Sequence, residues 1–356
     1  MRGRVSGEEA WSGDTPMQRI FYRHSDGKVE EGVELAQLGE LLQDPHVCLW
    51  VDLEDEPPEA VEALARRFAL HPVTIEDLLH RNQRPKLEEF EGYIFVVVHG
   101  LRPRQGEEVP ADEVHVVLGK NWIVSVHDRP IEAMKRAYDQ LVATPKPLDD
   151  SASFILYRIS DLLVDSYFPA LDALEEEIDD LEDDVVQRPT QERLHQIFAL
   201  KRALVHLRKL VSPQREVYNA LSRRDYPHVD PKSAAYFRDI HDHLIRASEI
   251  VESYRDLVSN MLDAYLATIS NRLNDVMKRL TLVATIFMPI SFITGFFGMN
   301  FAIMPYSWKW LFWTTIAAMA ITPLVMLIWF IRSGWIGDGE DPRDLPRLLS
   351  WLYPRR

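Results

Sequence analysis

The sequence predicts an α+β membrane protein: an N-terminal α/β domain, a long helical hairpin, one very long helix, and two C-terminal transmembrane helices. Three observations carry this reading. Charged residues stop abruptly: from Leu280 to Trp308 there is no Asp, Glu, Lys or Arg, and after Lys309 a second uncharged run extends from Trp310 to Ile331. From about residue 150 onward, apolar residues recur at spacings of three and four, the helical period. Before that point, short apolar runs alternate with short amphipathic stretches, as in a sheet with packed helices.

Each uncharged run reaches the roughly 20 apolar residues a helix needs to cross a hydrocarbon core about 30 Å thick. Gly298-Met299-Asn300 and Pro305 break up the first run near its end. The spans are therefore expected at about 279–298 and 309–331, joined by a short loop at 299–308. Buried helices of soluble proteins seldom run past about 20 residues without a charge. Pro289 and Pro323 are compatible with spans, because neighbouring helices make proline tolerable in a membrane. Trp308, Trp310 and Trp313 fall at one expected interface and Trp329 and Trp335 at the other, as in an aromatic belt. Lys278 and Arg279 precede the first span and Arg332 follows the second, whereas the loop between them carries only Lys309. The N-terminal MRGRVSGEEA lacks the apolar centre of a signal peptide. Both termini are thus expected in the cytosol, with the chain a multi-pass protein of the cell (inner) membrane.

The expected organisation is a disordered N-terminus at 1–18, a cytosolic α/β domain at 19–148, a cytosolic long-helix region at 149–276, a two-span transmembrane domain at 277–335, and a tail at 336–356. In the α/β domain, strands are expected at 21–23, 47–53, 93–101, 113–118 and 122–127, with Gly119-Lys120-Asn121 turning the last two into a hairpin. Helices fit 59–68, 73–80 and 130–142. No glycine-rich phosphate loop, nucleophile–base set or closed metal motif is present, so an enzyme is not expected. The single cysteine, Cys48, excludes an internal disulfide and a thiolate cluster, and its place in VCLWVDL reads as packing. The net charge of −15, from 40 basic and 55 acidic residues, argues against nucleic acid as a partner. An acidic cytosolic domain attracts cations instead.

In the helical region Leu171, Leu174, Ile178, Leu181 and Val185 form one apolar stripe. The other faces carry nine carboxylates from Asp172 to Asp184. They read either as a solvated surface or as a diffuse cation-attracting one, and less well as a tight metal cage. Arg188-Pro189-Thr190 breaks this helix, and 191–211 returns as its partner. A third helix starts near Ala234. Ile240, Leu244, Ala247, Val251, Tyr254, Val258, Met261, Tyr265, Thr268, Leu273 and Val276 keep its period, and no proline occurs from Lys232 to Met288. It should run directly into the first span as one helix of about 60 residues, near 90 Å at 1.5 Å per residue; the pore that the resemblance below implies would make it a long pore helix. Such a rod can couple cytosolic events to the bilayer. His241 and His243, two apart, do not share a helix face, and neither they nor His195 and His206 on the hairpin read as a zinc site.

Along the first span, Asn274, Met277, Leu280, Ala284, Met288, Ser291 and Gly295 share a face that is smaller and more polar than the face with Leu282, Ile286, Ile290 and Ile293. Two spans cannot enclose an aqueous path, but several copies around an axis can. Small residues also favour simple helix–helix packing, so on this pattern alone both readings stand.

Gly298-Met299-Asn300, closing a span and followed by Met304-Pro305 and Trp308-Lys309-Trp310, is the feature that tips the balance. In that setting the chain closely resembles the CorA family of divalent-cation transporters, whose hallmark is this Gly-Met-Asn. Residues 274–301, HPVTIEDLLHRNQRPKLEEFEGYIFVVV (71–98) and YFRDIHDH (236–243) carry the resemblance, which covers about 20–335. It implies a homopentamer in the lipid bilayer with a funnel-shaped cytosolic domain, a pore lined by the first spans, and Gly298, Met299 and Asn300 as selectivity filter. Asn300 would ring the outer mouth with amide oxygens, suited to Mg²⁺, which gives up its waters reluctantly. Asn274 would form an inner polar ring, and Leu280 and Met288 apolar constrictions. By position, Glu76, Asp77 and Asp263 match the family's regulatory metal site between subunits, and Asp161 and Asp239 a second. Mg²⁺ would thus be both cargo and regulator, with passive influx that also passes Co²⁺ or Ni²⁺. The alternatives are a transporter of zinc or another transition metal, or a non-conducting membrane-anchored sensor. Two departures stand out: Tyr306 and Ser307 replace the acidic residue many relatives carry in the outer loop, and only Arg332 stands where relatives often have a run of lysines.

Overall fold

The computed structural model describes residues 17–23, 29–31, 38–42, 44, 47–104, 106, 109–143, 151–223, 226–299 and 308–336. Of the N-terminus expected to be disordered at 1–18, residues 1–16 lie outside the described residues, while Met17 and Gln18 pair in a strand instead; Asn300 with 301–307 and the tail beyond 336 also lie outside them. The chain divides into two compact units, Met1–Tyr265 and Leu266–Arg356.

The first unit is built on a seven-stranded sheet of β1 (Met17–Arg23), β2 (Val29–Glu31), β3 (Cys48–Glu54), β4 (Lys86–Phe90), β5 (Tyr93–Leu101), β6 (Ala111–Leu118) and β7 (Trp122–His127). Their order is β2-β1-β3-β7-β6-β5-β4. Only β3 and β7 pair in parallel, from Leu49↔Trp122 to Glu54↔His127; the other neighbours are antiparallel. Every residue of β3 and β5 is buried, the near-continuous apolar pattern of strands covered on both faces. On one face Leu49, Val51, Leu53, Phe95, Val97, Val124 and Val126 pack under α2 (Pro58–Arg67) and α3 (Pro72–Leu79), which contribute Val61, Leu64 and Leu78. The other face is covered by α4 (Glu132–Ala143) and α5 (Ala152–Asp165). There Trp50 lies 6.3 Å from the Tyr138 ring, and a buried polar set sits between sheet and helices. Ser125 Oγ donates to Asp52 Oδ1 at 2.5 Å, Trp50 Nε1 donates to Ser125 Oγ at 2.8 Å, and His127 Nε2 stands 3.3 Å from Asp52 Oδ1.

The expected hairpin forms between β6 and β7, closed by Gly119 N–H donating to the Trp122 carbonyl at 2.9 Å. Four expectations need correcting. The first strand begins at Met17 rather than 21, because all seven of its residues pair with β3. The fourth begins at Ala111 rather than 113, extended by pairing with Leu101. The short strands β2 and β4 were not anticipated. The sequence of β4, KLEEF, has no apolar run because it is an edge strand with no fully buried residue. Finally, the return helix of the hairpin does not stop at 211.

That hairpin consists of α6 (Tyr167–Gln187) and α7 (Gln191–Arg223). The stripe Leu171, Leu174, Ile178, Leu181 and Val185 is buried, as are Ile197, Leu200, Leu204 and Leu207 of the returning helix. Proline removes an amide donor and usually ends a helix, yet α7 continues past Pro213. Its last turns are held by burial of Gln214, Val217, Tyr218 and Leu221. Gln214 is the decisive contact. Its Oε1 accepts from His99 N–H at 2.8 Å and its Nε2 donates to the His99 carbonyl at 3.0 Å. The pairing of β4 on β5 ends at Val97, so the glutamine supplies the hydrogen bonds a neighbouring strand would have made. Close by, Gly100 lets α5 approach: a Cβ there would stand 2.8 Å from Leu163 Cδ2 and 3.2 Å from Ser166 Oγ.

The third helix, α8, spans Pro231–Phe297, 67 residues, beginning slightly earlier than expected and passing through Pro289. Its stripe is buried from Ile240 through Tyr265. Beyond that the pattern loses its cover, with Leu273 60% and Val276 61% exposed. In the second unit α8 is accompanied by α9 (Lys309–Arg332), which contains Pro323. Both helices are long and apolar enough to cross a membrane, with 0% and 6% of their most apolar windows buried.

Candidate functional site

The seven expected pore-lining residues fall on one face of α8, and the structure leaves all of them exposed: Asn274, Met277, Leu280, Ala284, Met288, Ser291 and Gly295. Leu282, Ile286, Ile290 and Ile293 on the opposite face are half-buried. Three of the seven, Leu280, Ala284 and Met288, border a groove whose far wall includes Met326 of α9. Asn274 and Met277 border a second groove with Ser333 and Trp335. Pro289 has no amide proton to give the Thr285 carbonyl, so α8 carries one helical acceptor without its usual donor in mid-span. Thr294 Oγ1 donates to the Ile290 carbonyl at 2.8 Å, one turn further on.

The helix ends at Phe297, and a glycine follows it. Gly298 N–H closes a last turn on the Thr294 carbonyl at 2.9 Å, and Met299 N–H reaches the Phe296 carbonyl at 3.3 Å. A Cβ on Gly298 would come within 3.0 Å of the Thr294 carbonyl oxygen, which accounts for glycine at this position. Met299 is exposed, and Asn300, the third residue of the motif, lies outside the described residues.

The candidate regulatory carboxylates lie in the first unit. Helix α3 is set by its start: His71 Nδ1 accepts from Val73 N–H at 3.3 Å, and Tyr93 OH accepts from His71 N–H at 2.9 Å and bonds Thr74 Oγ1 at 2.8 Å. Thr74 and Leu78 face the core, which turns Glu76 fully and Asp77 partly to the surface. Asp77 is not free. Lys86 Nζ of β4 stands 2.6 Å from its Oδ2 and 3.1 Å from Glu88 Oε1. Burial pulls the Lys86 ammonium down, but Asp77 and Glu88 outweigh it and leave its pKa raised, so it stays protonated. Sequence reasoning missed this partner. Its signal was the lysine in RPKLEE nine residues after Asp77, which only the turn between α3 and β4 brings back.

Asp263 is exposed on α8. Asp161 of α5 is half-buried and paired with Arg158 Nη1 at 3.1 Å, while Asp239 is exposed. These last two are brought together. Burial first, then Asp165 and Asp239, push the Asp161 carboxyl up against the pull of Arg158 and His243. Among the described residues no three His, Cys, Asp or Glu side chains converge into a group that could hold a metal ion. A cation at these acids would therefore draw ligands or water from outside this set.

A large charged unit joined to two strongly apolar helices, the first followed by a glycine turn, defines a two-span membrane protein with a charged α/β domain outside the bilayer. The chain belongs to the CorA-like Mg²⁺ transporter family: the family model described as CorA-like Mg²⁺ transporter protein matches residues 46–332. The chain is 36% identical over 303 residues to the cobalt/magnesium transport protein CorA of Thermotoga maritima, covering 83% of this chain and 85% of that one. It is 27% identical over 315 residues to the protein of the same description from Methanocaldococcus jannaschii, covering 87% and 97%. The solved CorA magnesium transporter of M. jannaschii shares the fold, with a TM-score of 0.77 over 89% of this chain and 98% of that one at 23% identity. The chain is accordingly a divalent-cation transporter of the membrane and not an enzyme.

Proposed function

We propose that this protein is a Mg²⁺ channel of five identical chains that mediates passive influx and is closed by cytosolic Mg²⁺ bound between subunits. One observation carries the reading. The α8 face with Asn274, Leu280, Ala284, Met288, Ser291 and Gly295 is left exposed while the opposite face is half-buried, and it leads into Gly298-Met299-Asn300. Copies arranged about an axis can turn that face inward and line a wet path. Asn300 then presents a ring of neutral amide oxygens at the outer mouth. Such a ring hydrogen-bonds the hydration shell of Mg²⁺ without stripping it, and holds the ion weakly enough for release. The relatives described as cobalt/magnesium transport proteins support Mg²⁺ as cargo and Co²⁺ as a second one; Ni²⁺ belongs to the same proposal. Cytosolic termini belong to the same proposal, supported by the basic flanks Lys278, Arg279 and Arg332.

Glu76, Asp77 and Asp263, and with them Asp161 and Asp239, are the regulatory acids in this reading. A bridging ion between neighbouring chains favours the closed ring. Loss of the ion leaves unscreened carboxylates that repel, so internal Mg²⁺ selects between two states by differential binding.

The test is flux of Mg²⁺, Co²⁺ and Zn²⁺ into vesicles containing the wild type or Asn300→Ala. The proposal expects wild-type Mg²⁺ entry, with loss of transport or selectivity in the variant. Wild-type vesicles that admit Zn²⁺ but not Mg²⁺, or an Asn300→Ala protein with unchanged flux and ion preference, would refute it.

A further inference from the structure

The first unit carries a second feature, away from the candidate carboxylates on α3. A cavity of about 580 Å³ opens between β5, β6, the turn after α3 and one face of α7. That is within the range of small-molecule sites, roughly 300–1,000 Å³. Its floor is polar and buried. Glu113 accepts from Asn82 N–H at 2.8 Å and Gln83 N–H at 3.1 Å, and stands 2.6 Å from His115 Nε2. His99 Nε2 approaches the same carboxylate at 3.8 Å. Burial opposes the charge on Glu113, but His115, His99 and the Gln83 amide outweigh it and hold the carboxyl well below its ordinary range. That carboxylate is thus already engaged by donors of its own. His99 is only 3% exposed, and its Nδ1 has no hydrogen-bond partner.

The rim is cationic. Arg202 and Lys209, seven apart and so on one face of α7, border the opening with His206, and Arg84 borders it from the turn after α3. All four are exposed. Glu113 is the one carboxylate among the described lining residues. In a chain of net charge −15 this concentration of positive charge stands against the background. Val109, Pro110 and Leu210 add an apolar wall. Two guanidinium forks and an ammonium match phosphate oxygens, and the remaining volume and apolar wall suit an uncharged organic body.

We propose that this cavity binds an organic phosphate, such as a nucleoside or sugar phosphate, with the phosphate at Arg84, Arg202 and Lys209 and the body directed toward His99 and the apolar wall. The test is calorimetric titration of the full-length protein in detergent, without divalent cations, with ATP, AMP, glucose 6-phosphate and inorganic phosphate as probes. At least one organic phosphate is expected to bind saturably, one per chain, at least tenfold tighter than inorganic phosphate. Arg202→Gln and Lys209→Gln should each weaken it about tenfold or more. Lys201→Gln, an exposed lysine of α7 outside the cavity, should leave it unchanged. All three are surface substitutions, and elution volume and melting temperature check that the fold is kept. Absence of saturable binding, equal weakening by Lys201→Gln, or inorganic phosphate binding as tightly as every organic probe would each overturn the proposal.

Discussion

If cytosolic Mg²⁺ closes the protein by binding at Asp77, Lys86 is its built-in competitor. The ammonium sits 2.6 Å from Asp77 Oδ2, with the two side chains 28% and 21% exposed, and also holds Glu88 at 3.1 Å. A metal ion arriving at Asp77 must displace that cation or share the carboxylate with it. Partly exposed pairs of this kind are worth about 1 kcal/mol at most, since solvent screens them and both side chains lose freedom. Removing the competitor should therefore tighten regulatory Mg²⁺ binding by about fivefold, because 1.4 kcal/mol corresponds to a factor of ten. Lys86→Met is the right substitution: its unbranched stem can stay over the Phe95 ring, whose centroid lies 5.3 Å from Nζ, so the packing is preserved while the charge goes. The assay is Mg²⁺ current or dye-reported flux in vesicles at a series of internal Mg²⁺ concentrations. The half-closing concentration should fall about fivefold in Lys86→Met and stay near the wild-type value in Lys86→Arg. A half-closing concentration in Lys86→Met that is unchanged, or higher than in the wild type, would remove Asp77 from the sensor.

Three further outcomes follow from the first unit. Gln214→Leu strips both partners from the buried backbone of His99; with each unsatisfied group costing about 1–3 kcal/mol, hydrogen exchange across residues 97–101 should accelerate at least about thirtyfold, and unchanged protection would show that the α7–β5 bond is dispensable. Gly100→Val places its Cβ 2.8 Å from Leu163 Cδ2 and adds two methyl groups besides, so overpacking should destabilise the protein by about 1–3 kcal/mol, read as a lower melting temperature. The His127 imidazolium loses by burial but gains more from Asp52, so its pKa is raised above 6.5. The stability it contributes is complete below that value and is lost as pH rises through the raised one. The melting temperature should therefore decline on the alkaline side of 6.5, and His127→Gln should flatten that decline. Asp52 works in the opposite sense: burial opposes its charge, but His127 and Ser125 lower its pKa below 3.8, so its contribution is lost only as pH falls through that lowered value.

Much of the architecture was legible because it rests on period and on the absence of charge. The sheet core announced itself as runs such as YIFVVVHGL, buried at every position. The two spans announced themselves as uncharged stretches, and the stripe on α6 as a three-four repeat that the structure buries in full. What stayed hidden depends on contacts between distant residues. No local signal could reveal that Gln214 completes β5 from 115 positions away, or that this contact carries α7 past Pro213. Edge strand β4 was illegible because half-exposed strands need no apolar run. At the candidate site the limits were similar. The shared face of α8 and the motif that ends it were legible from spacing. The lysine across from Asp77 was not, since it becomes a neighbour only after the chain turns from α3 into β4. Nor was the cationic cavity, whose parts are drawn from the turn after α3, two strands and α7.

The state of α8 beyond Tyr265 is itself an argument about environment. Val283 is 54% exposed, Phe287 60% and Phe292 71%. Burying a side chain of that size is worth about 1.5–3 kcal/mol, so leaving these three and their neighbours in water would cost more than the 5–15 kcal/mol by which a typical domain is stable. A single chain in water cannot sustain this surface. Hydrocarbon relieves most of it, since lipid tails are as apolar as these side chains. Hydrocarbon does not suit the Thr285 carbonyl, deprived of its donor by Pro289, because an unsatisfied polar group in a bilayer costs several kcal/mol. Apolar residues that want lipid and polar groups that want water thus lie on the same helix. An arrangement that satisfies both turns one face to the bilayer and the other to a shared wet axis, and that requires more than one chain.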